Sequence, residues 1–217
     1  MTGAEYVAEF LARHGARDVF LLTGGACAFL VDAVARRPDM RYFCFQHEQG
    51  AALAADAVWR VDRGIGVTMA TSGPGATNLL TGIACSYFDS IPAVHITGQV
   101  NRRETAAYRG ARVRQAGFQE TNIVEMARPI TKYAVQVTDA DSLRSELAKA
   151  MHVATSGRKG PVLVDIPIDL QQAEIGDEAE NAPPAAAADS NEQAIDDAAR
   201  QINALLADAQ RPVRVPV

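Results

Sequence analysis

Residues 66–99, GVTMATSGPGATNLLTGIACSYFDSIPAVHITGQ, contain the pattern that decides the fold. Val67 to Ala70 is a short apolar run that predicts a strand. Thr71-Ser72-Gly73-Pro74-Gly75 follows, and glycine and proline at that density stop extended structure and open a loop. Ala76 to Phe88 reads as a helix, and Ala93 to Thr97 as a second apolar strand. Strand, helix and strand joined this tightly form a βαβ unit, in which the two strands run parallel. Neither strand alternates apolar with polar residues, so both are expected to be buried on both faces, under helices.

The same rhythm extends outward in both directions. Thr2 with Glu5 three residues on is a capping-box pattern. Tyr6, Val7, Phe10 and Leu11 continue it as an apolar stripe at helical spacing, and Gly15 ends that helix. Residues 18–22 predict a buried strand, Thr23-Gly24-Gly25 a turn, and Ala26 to about Arg37 a helix. Tyr42 to Phe45 reads as another apolar strand, and Glu48 to about Val61 as an alanine-rich helix. Beyond the central unit, Lys132 to Val137 predicts a strand, Ala140 to Ser156 a helix, and Val162 to Ile166 a strand. The expectation for residues 1–175 is therefore an α/β domain: a three-layer, doubly wound parallel sheet of about six strands with helices on both faces.

Two stretches break the rhythm. Residues 100–119 carry five arginines, at 102, 103, 109, 112 and 114, with no period, and predict a long exposed loop. These guanidinium groups either meet an anionic substrate group or lie in water. Residues 176–190 are acidic and rich in proline and alanine, as a linker is. After it, Ser190 can cap a helix reaching to about Ala209, and residues 211–217 read as the opening of one more strand, the remnant of a further domain.

Composition narrows the function classes. Of 217 residues 48% are apolar, enough for a core, and the net charge of −5 lacks the basic excess that nucleic-acid binding needs. No apolar run approaches the roughly 18–20 residues that span a bilayer, and the N-terminus lacks a secretory pattern. Cys27, Cys44 and Cys85 lie far apart without CxxC spacing, which points to a reducing cytoplasm rather than a disulfide or zinc framework. His47, His95 and His152 have no partners at metal-ligand spacing, so no metal site is expected on this chain.

In open parallel sheets, ligands sit in the turns at the carboxyl ends of strands. Four such turns stand out. Gly24 and Gly25 let backbone approach a ligand closely, or simply make a tight turn. Glu48, between a strand and an alanine-rich helix, reads as a carboxylate favoured by the helix dipole. The run from Ser72 through Gly73, Pro74 and Gly75 to Asn78 offers free backbone N–H groups at a helix start, without the Lys of a P-loop. Thr97-Gly98-Gln99 is a strand-end glycine with a polar neighbour.

Together these turns resemble the N-terminal pyrimidine-binding domain of thiamine-diphosphate enzymes of the acetolactate synthase type. The matching segments are VFLLTGGA, FQHEQGAALAADAVWRV, GVTMATSGPGATNLLTGIACSYFDSIPAVHITGQV, FQETNIVEMARPITKYAV and GPVLVDIPIDLQ, in family order over roughly residues 3–172. The resemblance implies that Glu48 is the activating glutamate. A carboxylic acid hydrogen-bonded to N1′ of the aminopyrimidine favours the imino tautomer, whose 4′ nitrogen then takes the thiazolium C2 proton. Such an acid belongs in a dry site, where desolvation raises a carboxyl pKa. By the same resemblance Gly24 and Gly25 line the cofactor and substrate side. Ser72, Gly73, Pro74, Gly75 and Asn78 shape the pyrimidine pocket. Phe118 and Gln119 belong to an FQE motif beside the reacting atoms, with Gln119 counted as catalytic, and Gln99 is a further substrate-side candidate.

The implied reaction is decarboxylation of a 2-keto acid, typically pyruvate, with the acyl unit passed to an acceptor carbonyl. An implied alternative is a two-component decarboxylase of the sulfopyruvate or phosphonopyruvate kind, or a non-catalytic stabilising subunit. Departures from the family are Ile168 where Lys or Arg is common before Asp169, and the longer arginine loop. The GDG…N motif that holds Mg²⁺ and diphosphate in the family's other thiamine domain does not occur in the sequence. The expectation is therefore a pyrimidine-domain subunit of a split enzyme. Its partner subunit supplies most of the thiamine diphosphate and Mg²⁺ contacts in an α₂β₂ hetero-oligomer. Retention of FAD is left open.

Overall fold

In a computed structural model, residues 1–110, 112–176 and 192–212 are described. The chain divides into two compact units, Met1–Pro184 and Ala185–Val217. The first contains strands β1 (Asp18–Leu21), β2 (Arg41–Cys44), β3 (Gly66–Ala70), β4 (Ala93–Gln99), β5 (Tyr133–Gln136) and β6 (Val162–Pro167). Its helices are α1 (Gly3–Arg13), α2 (Ala28–Ala35), α3 (Glu48–Asp62), α4 (Pro74–Asn78), α5 (Leu80–Phe88), α6 (Ile123–Ala127), α7 (Ala140–Thr155) and α8 (Ile168–Gln172). The second unit holds α9 (Glu192–Asp208), whose Ile195, Ile202, Leu205 and Leu206 are exposed. Most of the expected linker, the Ser190 cap and the strand from 213 onward lie outside the described residues.

All six strands of the sheet are parallel, in the order β2-β1-β3-β4-β6-β5. The central strands β3, β4 and β6 are buried throughout, as their unbroken apolar runs require. The outer strands differ from expectation. β2 is exposed along its whole length, and β5 is only partly covered. An edge strand has a neighbour on one side only, and the Phe20 and Phe43 rings, 5.4 Å apart, stack across the β1–β2 pair. Gln99, expected beyond a strand, is the last residue of β4. The helix expected from Ala76 begins at Pro74, where a proline without an N–H is tolerated, and is interrupted at Leu79.

α1 starts as its sequence demands. The Thr2 hydroxyl accepts from the Glu5 N–H at 3.3 Å, and the Glu5 carboxylate accepts from the Thr2 N–H at 2.8 Å. The helix buries Tyr6, Val7, Phe10 and Leu11, which join Leu21, Met69, Ile96, Leu143 and Val164 in the main core. A second core, around Leu79, Ile83, Ile123 and Leu163, covers the other face of the sheet.

Among the polar groups buried inside the sheet is a histidine. His95 is fully buried on β4, its Nδ1 2.8 Å from Thr68 Oγ1, and its Nε2 has no partner among the described residues. Burial pushes its pKa down to about 3. An unfolded imidazole titrates near 6.5, so between the two values only the unfolded state carries the proton. Stability contributed by this site is complete above about pH 6.5 and falls by ~1.4 kcal/mol per pH unit below it. Urea midpoints at pH 7 and pH 5 are expected to lie closer together for Thr68→Val/His95→Leu than for the wild type. Equal spacing in both proteins would refute this assignment.

Candidate active site

The order of strands reverses between β1 and β3. β1 leads through α2 to β2 on one side, whereas β3 leads through α4 and α5 to β4 on the other. In doubly wound sheets this switch point opens a crevice at the carboxyl ends of the strands. Two loops leave it here. The Ala26 N–H donates to Thr71 Oγ1 at 3.2 Å, pinning one loop to the other. A Cβ at Gly24 would stand 2.5 Å from Thr71 Cβ, so only glycine permits this approach. Gly25 differs, because a Cβ there would meet nothing within 4 Å and therefore faces open space.

The glycine loop is also held from beneath. A Cβ at Gly98 of β4 would lie 1.9 Å from the Ala26 carbonyl oxygen. Gln171 Nε2, on α8, donates to that same oxygen at 2.7 Å and to the Ile166 carbonyl at 2.8 Å. Gln171 was not anticipated; its role depends on a contact 145 residues away along the chain.

Glu48 opens α3, behind the cap formed where the Gln49 N–H donates to His47 Nδ1 at 3.2 Å. The first-turn position agrees with the dipole argument. Its side chain does more, because Glu48 is 5% exposed and its Oε2 accepts from Asn78 Nδ2 at 2.9 Å. Oε1 lies 3.3 Å from the Cβ position at Gly75 and has no donor among the described residues. The result is a buried carboxyl with one oxygen tethered and the other presented. Glu48 is thus brought to Gly75 and to Asn78, which lies 30 residues further along the chain.

Ser72 is buried, Pro74 is exposed, and Gly73 adopts a φ of +64°. A Cβ at Gly73 would stand 2.7 Å from Gln119 Cβ, so the FQE segment lies directly on the small-residue loop. Gln119 itself adopts a φ of 59°, while Phe118 is 81% exposed. Gln99 is engaged elsewhere. Its Nε2 donates to the Thr121 carbonyl at 2.9 Å and to Asp165 Oδ2 at 3.1 Å, and its Oε1 accepts from the Val100 N–H. Asp165 is fully buried and also accepts from Thr97 at 2.6 Å and Gln136 at 2.8 Å. Desolvation raises its pKa despite these donors.

The arginine loop has an internal clasp that sequence reading missed. The Glu120 carboxylate accepts from the backbone N–H groups of Ala106 and Ala116, each at 2.9 Å, and of Gly117 at 3.1 Å. Burial raises its pKa, but the three backbone donors and the Arg109 charge outweigh that and leave it lowered. All five arginines are exposed, and Arg102 ties the root of the loop to α8 through Asp169 at 2.7 Å. Glu120→Gln loses the charge and turns one acceptor into a donor facing donors. Trypsin is expected to cut the variant after Arg109, Arg112 or Arg114 faster than the wild type. Equal cleavage rates would show that Glu120 does not order the loop.

A doubly wound parallel sheet with a buried carboxyl beside a glycine-lined switch-point crevice defines a small-molecule-binding α/β domain. The sequence matches the family described as "Thiamine pyrophosphate enzyme, N-terminal TPP binding domain" over residues 1–126, and the chain belongs to that family. It is 46% identical over 170 residues to acetolactate synthase 2, chloroplastic, of Zea mays, covering 78% of this chain and 25% of the relative. It is 44% identical over 170 residues to acetolactate synthase, chloroplastic, of Arabidopsis thaliana, covering 78% and 24% respectively. It is 40% identical over 178 residues to acetolactate synthase of Arthrospira platensis, covering 81% and 29%. The chain thus spans about a quarter of the length of these relatives.

Proposed function

We propose that this chain is the pyrimidine-domain subunit of an acetolactate synthase-like transferase. The enzyme would decarboxylate a 2-keto acid and pass the acyl unit to an acceptor carbonyl. The observation that carries the reading is Glu48, buried, tethered through one oxygen by Asn78 and presenting the other. These residues fit thiamine diphosphate: a carboxyl able to share a proton with a ring nitrogen stands beside Gly75, and the glycine loop has open space at Gly25. When bound, the cofactor supplies the stabilised carbanion chemistry that no side chain offers. Glu48 holds and moves the proton at the ring nitrogen, and Asn78 fixes the carboxyl's orientation. Ser72, Gly73 and Pro74 with Gln119 wall the pocket, and the core beneath excludes water.

A partner subunit carrying the Mg²⁺ and diphosphate site is proposed to close over this surface in an α₂β₂ assembly. The open side of Gly25 and the exposed Phe118 ring support that reading. Three free cysteines, with the buried Cys27 thiol pushed up to about 11 by desolvation, suit a reducing cytoplasm. No helix among the described residues is long and apolar enough to cross a membrane. Simple decarboxylation of a keto acid with a second anionic group is the alternative, favoured by the five exposed arginines of the loop. Co-purification with candidate partners, then assay with thiamine diphosphate, Mg²⁺ and pyruvate, tests these readings. An acyloin product supports the transferase, and aldehyde alone supports the decarboxylase. Tight cofactor binding by the isolated chain would overturn the half-site.

A further inference from the structure

The edge of the sheet opposite Glu48 carries a second concavity. α5 ends at Phe88 shortly before β4, Lys132 directly precedes β5, and Arg158-Lys159 lead into β6. These residues therefore gather at the amino ends of three neighbouring strands. With Tyr87 they line a surface cavity of about 350 Å³, a volume in the range of small-ligand sites.

The cations in it are positioned from behind. Lys132 Nζ donates to the backbone carbonyls of Val153 and Ser156, the latter at 2.7 Å, and an ammonium has one further donor. Its stem lies against Gly160, where a Cβ would come within 3.0 Å of Lys132 Cδ and Cγ. Arg158 Nε donates to Ser90 Oγ at 2.7 Å, which orients the guanidinium and leaves its two terminal amino groups without an acceptor among the described residues. Lys159 Nζ lies 5.7 Å from the centroid of the Trp59 ring. Among the described residues none of the three pairs with a carboxylate, and the nearby Asp89 is bonded by Arg60 instead. Burial, and after it the Lys159 charge, lower the Lys132 pKa. The Tyr87 and Phe88 rings meet edge to face at 6.0 Å, and Phe88 is 68% exposed.

We propose that this cavity binds an aromatic organic phosphate of mononucleotide size, with the phosphate on Arg158 and Lys159 and the ring on Phe88. A guanidinium takes two phosphate oxygens through parallel N–H donors, a geometry an ammonium cannot offer. Ring stacking on an exposed aromatic tolerates any base, because every base has a π-face. The site lies at the other end of the strands from the thiamine pocket and is independent of that reading.

Trp59 is the chain's one tryptophan, so its emission reports on Lys159 without interference. Titration of the full chain with AMP, read by Trp59 emission and by equilibrium dialysis, is expected to saturate. Adenosine and inorganic phosphate should each bind at least about tenfold more weakly, since each lacks one half of the recognition. Arg158→Ala and Phe88→Ala, both at exposed positions, should weaken AMP by a similar factor while circular dichroism stays unchanged. No saturation with AMP by either readout would overturn the proposal. So would inorganic phosphate binding as tightly as AMP, or wild-type affinity in folded Arg158→Ala.

Discussion

In the enzyme proposed above, Glu48→Gln is expected to lower kcat by about 10²–10⁴-fold, the range of a lost proton-transfer group. Glutamine keeps the volume of the buried side chain, and its carbonyl oxygen can still accept from Asn78 Nδ2. It cannot share a proton with a ring nitrogen. The thermal midpoint should therefore stay near that of the wild type while turnover collapses. Asn78→Ala should act in the same direction more weakly, because it frees the carboxyl's orientation without removing the acid. Turnover and deuterium exchange at the cofactor's C2 position separate the outcomes: unchanged exchange in Glu48→Gln would remove this residue from proton transfer.

Gly98→Ala is expected to destabilise the domain by about 3 kcal/mol, the upper end for forcing an atom into a packed interior. The added Cβ would sit 1.9 Å from the Ala26 carbonyl oxygen; one is fixed to its Cα and the other is backbone, so neither can swing aside. Relief requires lifting the glycine loop off β4, which breaks the Gln171 contact to the same oxygen at 2.7 Å. Gly25→Ala is the control. Its Cβ meets nothing within 4 Å, and stability should change by less than about 0.5 kcal/mol, as at ordinary surface positions. Urea unfolding of the two variants checks this. Coincident midpoints would mean that the loop yields freely and that Gly98 does not set its height.

The contrast between those glycines also shows what a sequence can and cannot reveal. Apolar runs with no alternation correctly give β3, β4 and β6 as buried parallel strands, because burial on both faces leaves its mark on every residue. The same logic fails for β2, whose Tyr42 and Phe43 look like core yet lie exposed at the sheet edge. Strand order is a long-range property, and local periodicity does not record it. Glu48 reads from its neighbours as a helix-start carboxylate. Only the folded chain brings Asn78 to it, and only the family resemblance marked it beforehand. Glu120 and Gln171 escaped notice because each acts on backbone groups, which carry no residue identity. The α6 helix did have a local signal: Asn122 accepts from the Glu125 N–H at 3.2 Å, a pattern visible as Asn-x-x-Glu.

The Glu120 clasp separates two design problems that a long active-site loop usually entangles. The N–H groups of Ala106 and Ala116 bind one carboxylate at 2.9 Å each, so the excursion between them leaves and returns at a single anchored neck. Arg109, inside the excursion, adds its charge to the clasp and donates from Nε to the Arg103 carbonyl at 3.4 Å. Doubling the excursion would cost only ~0.6 kcal/mol in closure entropy. The length of the excursion is therefore a weak constraint on the fold, and the closing of its neck by Glu120 a strong one.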